Sequence, residues 1–134
     1  MQPKITGIHH VALKACGTED FKKAVAFYHE LLGMPIARTW GDEENPAAMV
    51  DTGAGLLELF ANGTEYPSQG AIRHFALEVA DTDACIEAVR AAGYPIIKEP
   101  ADIVIDSVPP YPARIAFCIG PVGEEIEFFQ VKPL

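Results

Sequence analysis

His10-Val11-Ala12-Leu13-Lys14 and, later in the same chain, His74-Phe75-Ala76-Leu77-Glu78 are two copies of one pattern: a histidine heading a strand-like run. A duplication of this kind governs the fold, because each copy must bury an apolar face of its own. Behind each copy comes a Thr/Asp-containing break and then a helical pattern. From about Thr18 to Leu32, the residues Phe21, Ala24, Val25, Tyr28, Leu31 and Leu32 share one face, with Thr18 as N-cap. The second helix starts near Asp81 or Thr82 and turns Ile86, Val89 and Ala92 toward the core. Both helices close alike, with Gly33-Met34-Pro35-Ile36 and Gly93-Tyr94-Pro95-Ile96. Each closing segment pairs a glycine free to turn left-handed with a proline that cannot continue the helix. The copies also finish alike, on Leu57-Glu58-Leu59-Phe60 and Ile126-Glu127-Phe128-Phe129.

The pattern predicts an α+β fold, βαβββ twice over, with strands near 5–15, 35–41, 47–52 and 55–61, then 72–80, 95–99, 112–120 and 123–132. One domain, 1–134, holds a first module over 1–64 and a second over 65–134, joined through 62–71. The segment from Glu99 to Pro112 carries Pro100, Pro109, Pro110 and Pro112. Proline removes ladder donors, so this segment is expected to be a long loop able to cover a site.

A chain of 134 residues, 49% of them hydrophobic, can build one core without disulfide support. Cys16, Cys85 and Cys118 are odd in number and widely spaced, as in reduced cytosolic proteins, and Cys118 reads as a small core residue. A net charge of −9 excludes nucleic acid and anionic membrane as partners. An anionic small substrate stays open, since Lys14, Arg38, Arg73 or Arg114 could receive one carboxylate. The apolar runs are shorter than a membrane span, and Met1-Gln2-Pro3-Lys4 opens no signal-like stretch, so the expected localisation is cytoplasmic.

Strand geometry puts His10 on one face with Ala12 and Lys14, and His74 with Ala76 and Glu78, leaving the opposite apolar faces for the helices. Glu58 and Glu127 sit inside apolar strands, where even a neutral polar group left unpaired costs roughly 2–7 kcal/mol. Taken singly, each residue has a plain structural explanation: a hydrogen-bonded histidine, or a carboxylate paired with Arg38 or Arg114. Taken as two matching pairs, His10, Glu58, His74 and Glu127 point to a divalent metal. Two imidazoles and two carboxylates suit nickel, zinc, iron, manganese or cobalt. Modules related by a pseudo-twofold axis would bring the equivalent positions together. His9 competes with His10, and the repeat selects His10. His29 has no counterpart and is expected at the surface, while Trp40 and Tyr28 could line a pocket but read more readily as core aromatics.

These residues resemble the vicinal oxygen chelate superfamily and, within it, the small glyoxalase I (lactoylglutathione lyase) type. The likeness spans nearly the whole chain. It is carried by Gly7-Ile8-His9-His10-Val11-Ala12-Leu13, Ala26-Phe27-Tyr28-His29-Glu30-Leu31-Leu32-Gly33-Met34, Leu57-Glu58-Leu59-Phe60, Arg73-His74-Phe75-Ala76-Leu77 and Gly123-Glu124-Glu125-Ile126-Glu127. The resemblance implies a cup-shaped mixed sheet around a metal with two open positions, with His10, Glu58, His74 and Glu127 as ligands. It implies nickel or cobalt ahead of zinc, and a homodimer whose sites can draw on both subunits. It further implies a lyase or isomerase that abstracts a proton, with Glu127 as base or Glu58 in its place, and forms a metal-bound enediolate from a small oxygen-chelating substrate such as a methylglyoxal-thiol hemithioacetal. Asn62 matches a residue that contacts glutathione in such enzymes, whereas Lys14 stands where they carry arginine, and Val108-Pro109-Pro110-Tyr111-Pro112 departs from their glutathione loop. An epimerase of an acyl-thioester or related acid, and a non-catalytic drug-binding resistance protein, are the competing readings within the same superfamily.

Overall fold

Alternation along the strands decides which face each sheet buries. The computed structural model describes residues 3–133. Met1 and Gln2, which open the first module and the segment read for targeting, lie outside the described residues, as does Leu134. The chain divides into two units, Met1–Glu65 and Tyr66–Leu134.

In the first unit, β1 (His10–Lys14) leads to α1 (Thr18–Val25) and then to β2 (Ile36–Gly41), β3 (Pro46–Asp51) and β4 (Leu56–Phe60). The sheet order is β1-β4-β3-β2, with β1 parallel to β4 and the other pairs antiparallel. Leu57, Leu59, Ala48 and Val50 are buried on the face that α1 covers with Phe21 and Ala24, and Phe27 and Tyr28, just beyond α1, are buried as well. The helix differs from expectation at both ends. Its N-cap is Gly17, at φ 92 and without a side-chain cap bond, so Thr18 is the first helical residue rather than the cap. From Ala26 to Leu31 the backbone widens into a π-helical turn, with Leu32 N–H donating to the Phe27 carbonyl. That widening shifts the phase of the stripe and buries the adjacent residues Phe27 and Tyr28 together, which a fixed helical period does not anticipate.

The second unit repeats the plan with β5 (Phe75–Glu78), α2 (Thr82–Ala91), β6 (Ile96–Ile105), β7 (Tyr111–Ile119) and β8 (Glu125–Val131), in the order β5-β8-β7-β6. Asp81 caps α2 by accepting from Ala84 N–H at 3.0 Å. At the far end Tyr94 N–H donates to the Val89 carbonyl and Gly93 N–H to that of Arg90, a Schellman closure that uses the φ of 90 at Gly93. Ile86 and Val89 are buried as read, but Ala92, at the C-cap, is exposed.

The expected loop over 99–112 is instead most of a long hairpin, since β6 runs on to Ile105 and β7 begins at Tyr111. Pro100 falls in a bulge between Lys98 and Ala101 on the outermost strand, where no ladder donor is asked of it. Pro109 and Pro110 lie in the short connection that remains. Pro112 opens β7's pairing with β8 through its carbonyl, which accepts from Lys132 N–H.

Thr82 shows how tightly α2 is tied to its sheet. The residue is wholly buried; its hydroxyl donates to the Arg114 carbonyl at 2.9 Å and its N–H to Gln130 Oε1 at 3.0 Å. Thr82→Val keeps the shape and removes the hydroxyl bond. Denaturant unfolding is expected to show a loss of about 0.5–1.5 kcal/mol.

Candidate functional site

The same register sets the chemistry in both units. In the first, Ala12 pairs with Glu58 across β1 and β4, which places His10, two residues earlier, diagonally beside that carboxylate. His10 Nε2 lies 3.4 Å from Glu58 Oε1. In the second, Ala76 pairs with Glu127 across β5 and β8, and His74 Nε2 lies 3.1 Å from Glu127 Oε1. The histidine side chains keep 38% and 37% of their surface, whereas the carboxylates keep only 15% and 12%. Each pair therefore offers a reachable imidazole nitrogen over a mostly sunken oxygen donor.

Two donors bound to one cation at about 2.0–2.2 Å stand roughly 3.0–3.5 Å apart when adjacent in its shell. Both pairs match that separation, so the donor chemistry and spacing of each fit one edge of a metal's coordination shell. Grouping stops at that level: among the described residues no three His, Cys, Asp or Glu side chains form a cluster able to hold a metal ion. The four expected ligands are thus found as two matching pairs, one in each unit.

Around the first pair, the register runs Ala12, Glu58, Met49, Arg38 in one row and Lys14, Phe60, Ala47, Trp40 in the next. Lys14 and Arg38 therefore share the open face with Glu58, and both are exposed. Ala47 is small enough for the Trp40 and Phe60 rings to meet over it, edge to face at 6.1 Å. Trp40 is accordingly half-exposed on the site face, not in the core, while Tyr28 is fully buried. Asn62 lies past the end of β4, bridged to Cys16 and exposed. His29 is not a free surface residue: it is half-buried, with its Nδ1 2.7 Å from the Met34 carbonyl at the helix end.

Arg114 corrects the sequence reading. Gln130 is its partner in β8 while Phe117 faces Glu127, so Arg114 projects from the opposite, helix-covered face. There Asp83 of α2 takes its Nε at 2.7 Å and a terminal nitrogen at 3.0 Å, and Asp102 takes the other at 3.2 Å. The hydrogen bonds to Asp83 and then Asp102 hold the guanidinium still further above its ordinary range. A side chain so engaged cannot serve a substrate on the Glu127 face. Arg73, another candidate, donates to Gln69 Oε1. Cys118 is buried, and burial pushes its thiol up to about 12, which leaves it inert.

Two neighbours, Glu125 and Gln69, escaped the sequence reading, and His9, weighed there only as a rival to His10, stands beside it. His9 Nδ1 is 2.9 Å from His10 Nδ1, Glu125 Oε2 is 3.8 Å from His74 Nδ1, and Gln69 Nε2 donates to Glu125 Oε2 at 3.2 Å. Glu125 was legible in principle, because it shares a strand face with Glu127. Gln69, in the linker, carries no such signal.

Paired βαβββ units with a histidine and a glutamate on each open face define a class of small α+β proteins. The chain belongs to the glyoxalase/bleomycin resistance protein/dioxygenase superfamily, which it matches over residues 7–128. It is 31% identical over 121 residues to a lactoylglutathione lyase of Haemophilus influenzae, covering 84% of this chain and 86% of that one. Among solved structures it resembles the trypanothione-dependent glyoxalase I of Leishmania major, with a TM-score of 0.68, 25% identity, and coverage of 90% and 84%. A glyoxalase family protein from Enterococcus faecalis gives a TM-score of 0.67 at 24% identity, covering 92% and 97%, a likeness of fold. Among the described residues no helix is long and apolar enough to cross a membrane.

The hydrogen bond to Arg114 lowers the pKa of Asp83 in the folded protein. Its stabilising contribution is therefore complete above the ordinary aspartate range and lost as pH falls through the lowered value. Asp83→Asn is expected to flatten that part of the acid limb, read as the pH dependence of the thermal midpoint.

Proposed function

We propose that the protein is a divalent-metal-dependent lyase or isomerase of the glyoxalase I type. The observation that carries this is the His/Glu pair repeated at 3.4 and 3.1 Å on the open face of each sheet. Each pair supplies one nitrogen and one oxygen, so His10, Glu58, His74 and Glu127 make up a four-donor set. When bound, the metal supplies Lewis-acid polarisation of a substrate carbonyl, which makes the neighbouring C–H acidic. Nickel or cobalt leads the candidates, with zinc, iron and manganese behind.

Glu127 is the proposed base, and Glu58 the alternative. The Glu127 carboxylate takes the proton from the carbon beside the carbonyl and returns it to the former carbonyl carbon, while the hydroxyl proton passes to the former carbonyl oxygen, converting a hemithioacetal into a thioester. Beside Glu127, Phe117 packs edge-on against the His74 ring at 5.2 Å and limits where that imidazole can swing. Lys14 and Arg38 share a face with Glu58 and are the proposed seats for a substrate carboxylate, with Asn62 as a further contact. The relatives' name supports a glutathione-derived substrate. Lys14 in place of arginine leaves room for another thiol. The reading also includes a homodimer.

The test is metal-reconstituted protein assayed with methylglyoxal and glutathione, then with other thiols, acyl-thioesters and diols. Thioester formation that falls about 10²–10⁴-fold in Glu127→Gln is the expected result. Epimerisation of an acyl-thioester without thioester formation would move the assignment to the epimerase reading. Absence of any stoichiometric divalent ion, with Glu127→Gln indistinguishable from the parent protein, would replace it with the drug-binding reading.

A further inference from the structure

We propose that His9 is a positioning residue that fixes the ring orientation and tautomer of His10, so that Nε2 of His10 is the atom offered to a metal. The inference rests on the reading of His10 as a ligand. Consecutive strand residues ordinarily project to opposite faces, yet the two Nδ1 atoms stand 2.9 Å apart, within hydrogen-bond distance, with the rings at 84°. Their meeting depends on His9 preceding the first residue of β1 and so being free of the pleat.

Proton placement then has one solution. A hydrogen bond between two imidazole nitrogens needs a hydrogen on one and a lone pair on the other. The ring of His10 turns Nε2 toward Glu58, at 3.4 Å. For Nε2 to bind a cation it must be bare, which puts the single hydrogen of the neutral ring on Nδ1. His10 is therefore the donor, His9 Nδ1 the acceptor, and the hydrogen of His9 sits on its own Nε2. Metal-binding histidines are commonly held this way through their second nitrogen, by a carboxylate, a carbonyl or water. Here a neighbouring imidazole takes that place.

Among the described residues of the second unit there is no such arrangement. Arg73 stands before His74 and is hydrogen-bonded to Gln69, and the group near His74 Nδ1 is Glu125, at 3.8 Å, beyond hydrogen-bond length. A change at position 9 therefore acts on one ligand histidine alone. His9 is exposed and forms part of the wall of an open cleft of about 440 Å³ bounded by Thr6, Asp51 and Leu56, so the fold tolerates its replacement.

The experiment measures zinc affinity by calorimetry for the parent protein, His9→Leu and His9→Asn. Long-range proton-nitrogen NMR of the zinc-loaded parent protein reads the tautomers. Loss of the acceptor in His9→Leu is expected to weaken zinc binding about 10–100-fold. Asn, whose amide oxygen lies near the position of Nδ1, is expected to recover most of the loss. The spectra should show a hydrogen-bearing Nδ1 on His10 and a bare Nδ1 on His9. Equal affinities in all three proteins, or a His10 bound to zinc through Nδ1, would overturn the inference and leave the proposed function standing. If the parent protein binds no zinc, nickel or cobalt, the ligand reading itself fails, and the inference with it.

Discussion

Everything else in this chain depends on one pairing, in which the first strand of each unit lies parallel to the last, with an alanine opposite the glutamate. Ala12 faces Glu58 and Ala76 faces Glu127. A methyl group at that position leaves the carboxylate room to lean along the sheet toward the histidine two residues before the alanine. A larger residue would occupy the space between the two donors. A slip of one residue would send the glutamate through to the helix side and the apolar residues out, because the side-chain period is two. The buried rows at Leu57/Leu59 and Ile126/Phe128 resist that slip, so the apolar core also sets where the polar donors stand.

Much of this was legible from sequence because it is written in short periods. The His-x-Ala strands, the Gly/Pro helix endings and the recurring Glu inside an apolar run are local signals, and the duplication doubled each of them. What was misread depended on partners distant in sequence. The prolines of 99–112 looked incompatible with a strand, but a proline is excluded only where the ladder needs its N–H, and Pro100 sits in an outer-strand bulge. Arg114 looked available, since nothing near it in sequence shows that Asp83 and Asp102 reach it. The widened turn at 26–31 shifted the helical phase without any glycine or proline to mark it.

The two sheet faces divide the charged residues by task. On the helix side, Arg114 donates three hydrogen bonds to carboxylates and Thr82 is bonded to a backbone and an amide partner, an arrangement that holds α2 in place. On the open side, Lys14, Arg38 and the two histidines retain exposed polar atoms. Stability and ligand binding thus draw on different residues, although both come from the same strands.

The bulges that let Pro100 into β6 have a second effect, on what the outer rim of that sheet can do. A regular rim strand presents an unbroken row of backbone donors and acceptors to any extended chain that meets it, which is how sheets seed fibrils. β6 instead changes register twice before Ala101 and lacks an N–H at Pro100, so over that half of the strand a foreign chain finds no regular run of groups to match. The irregular stretch therefore shortens the regular edge that a long strand carrying four isoleucines and one valine presents at the sheet's margin.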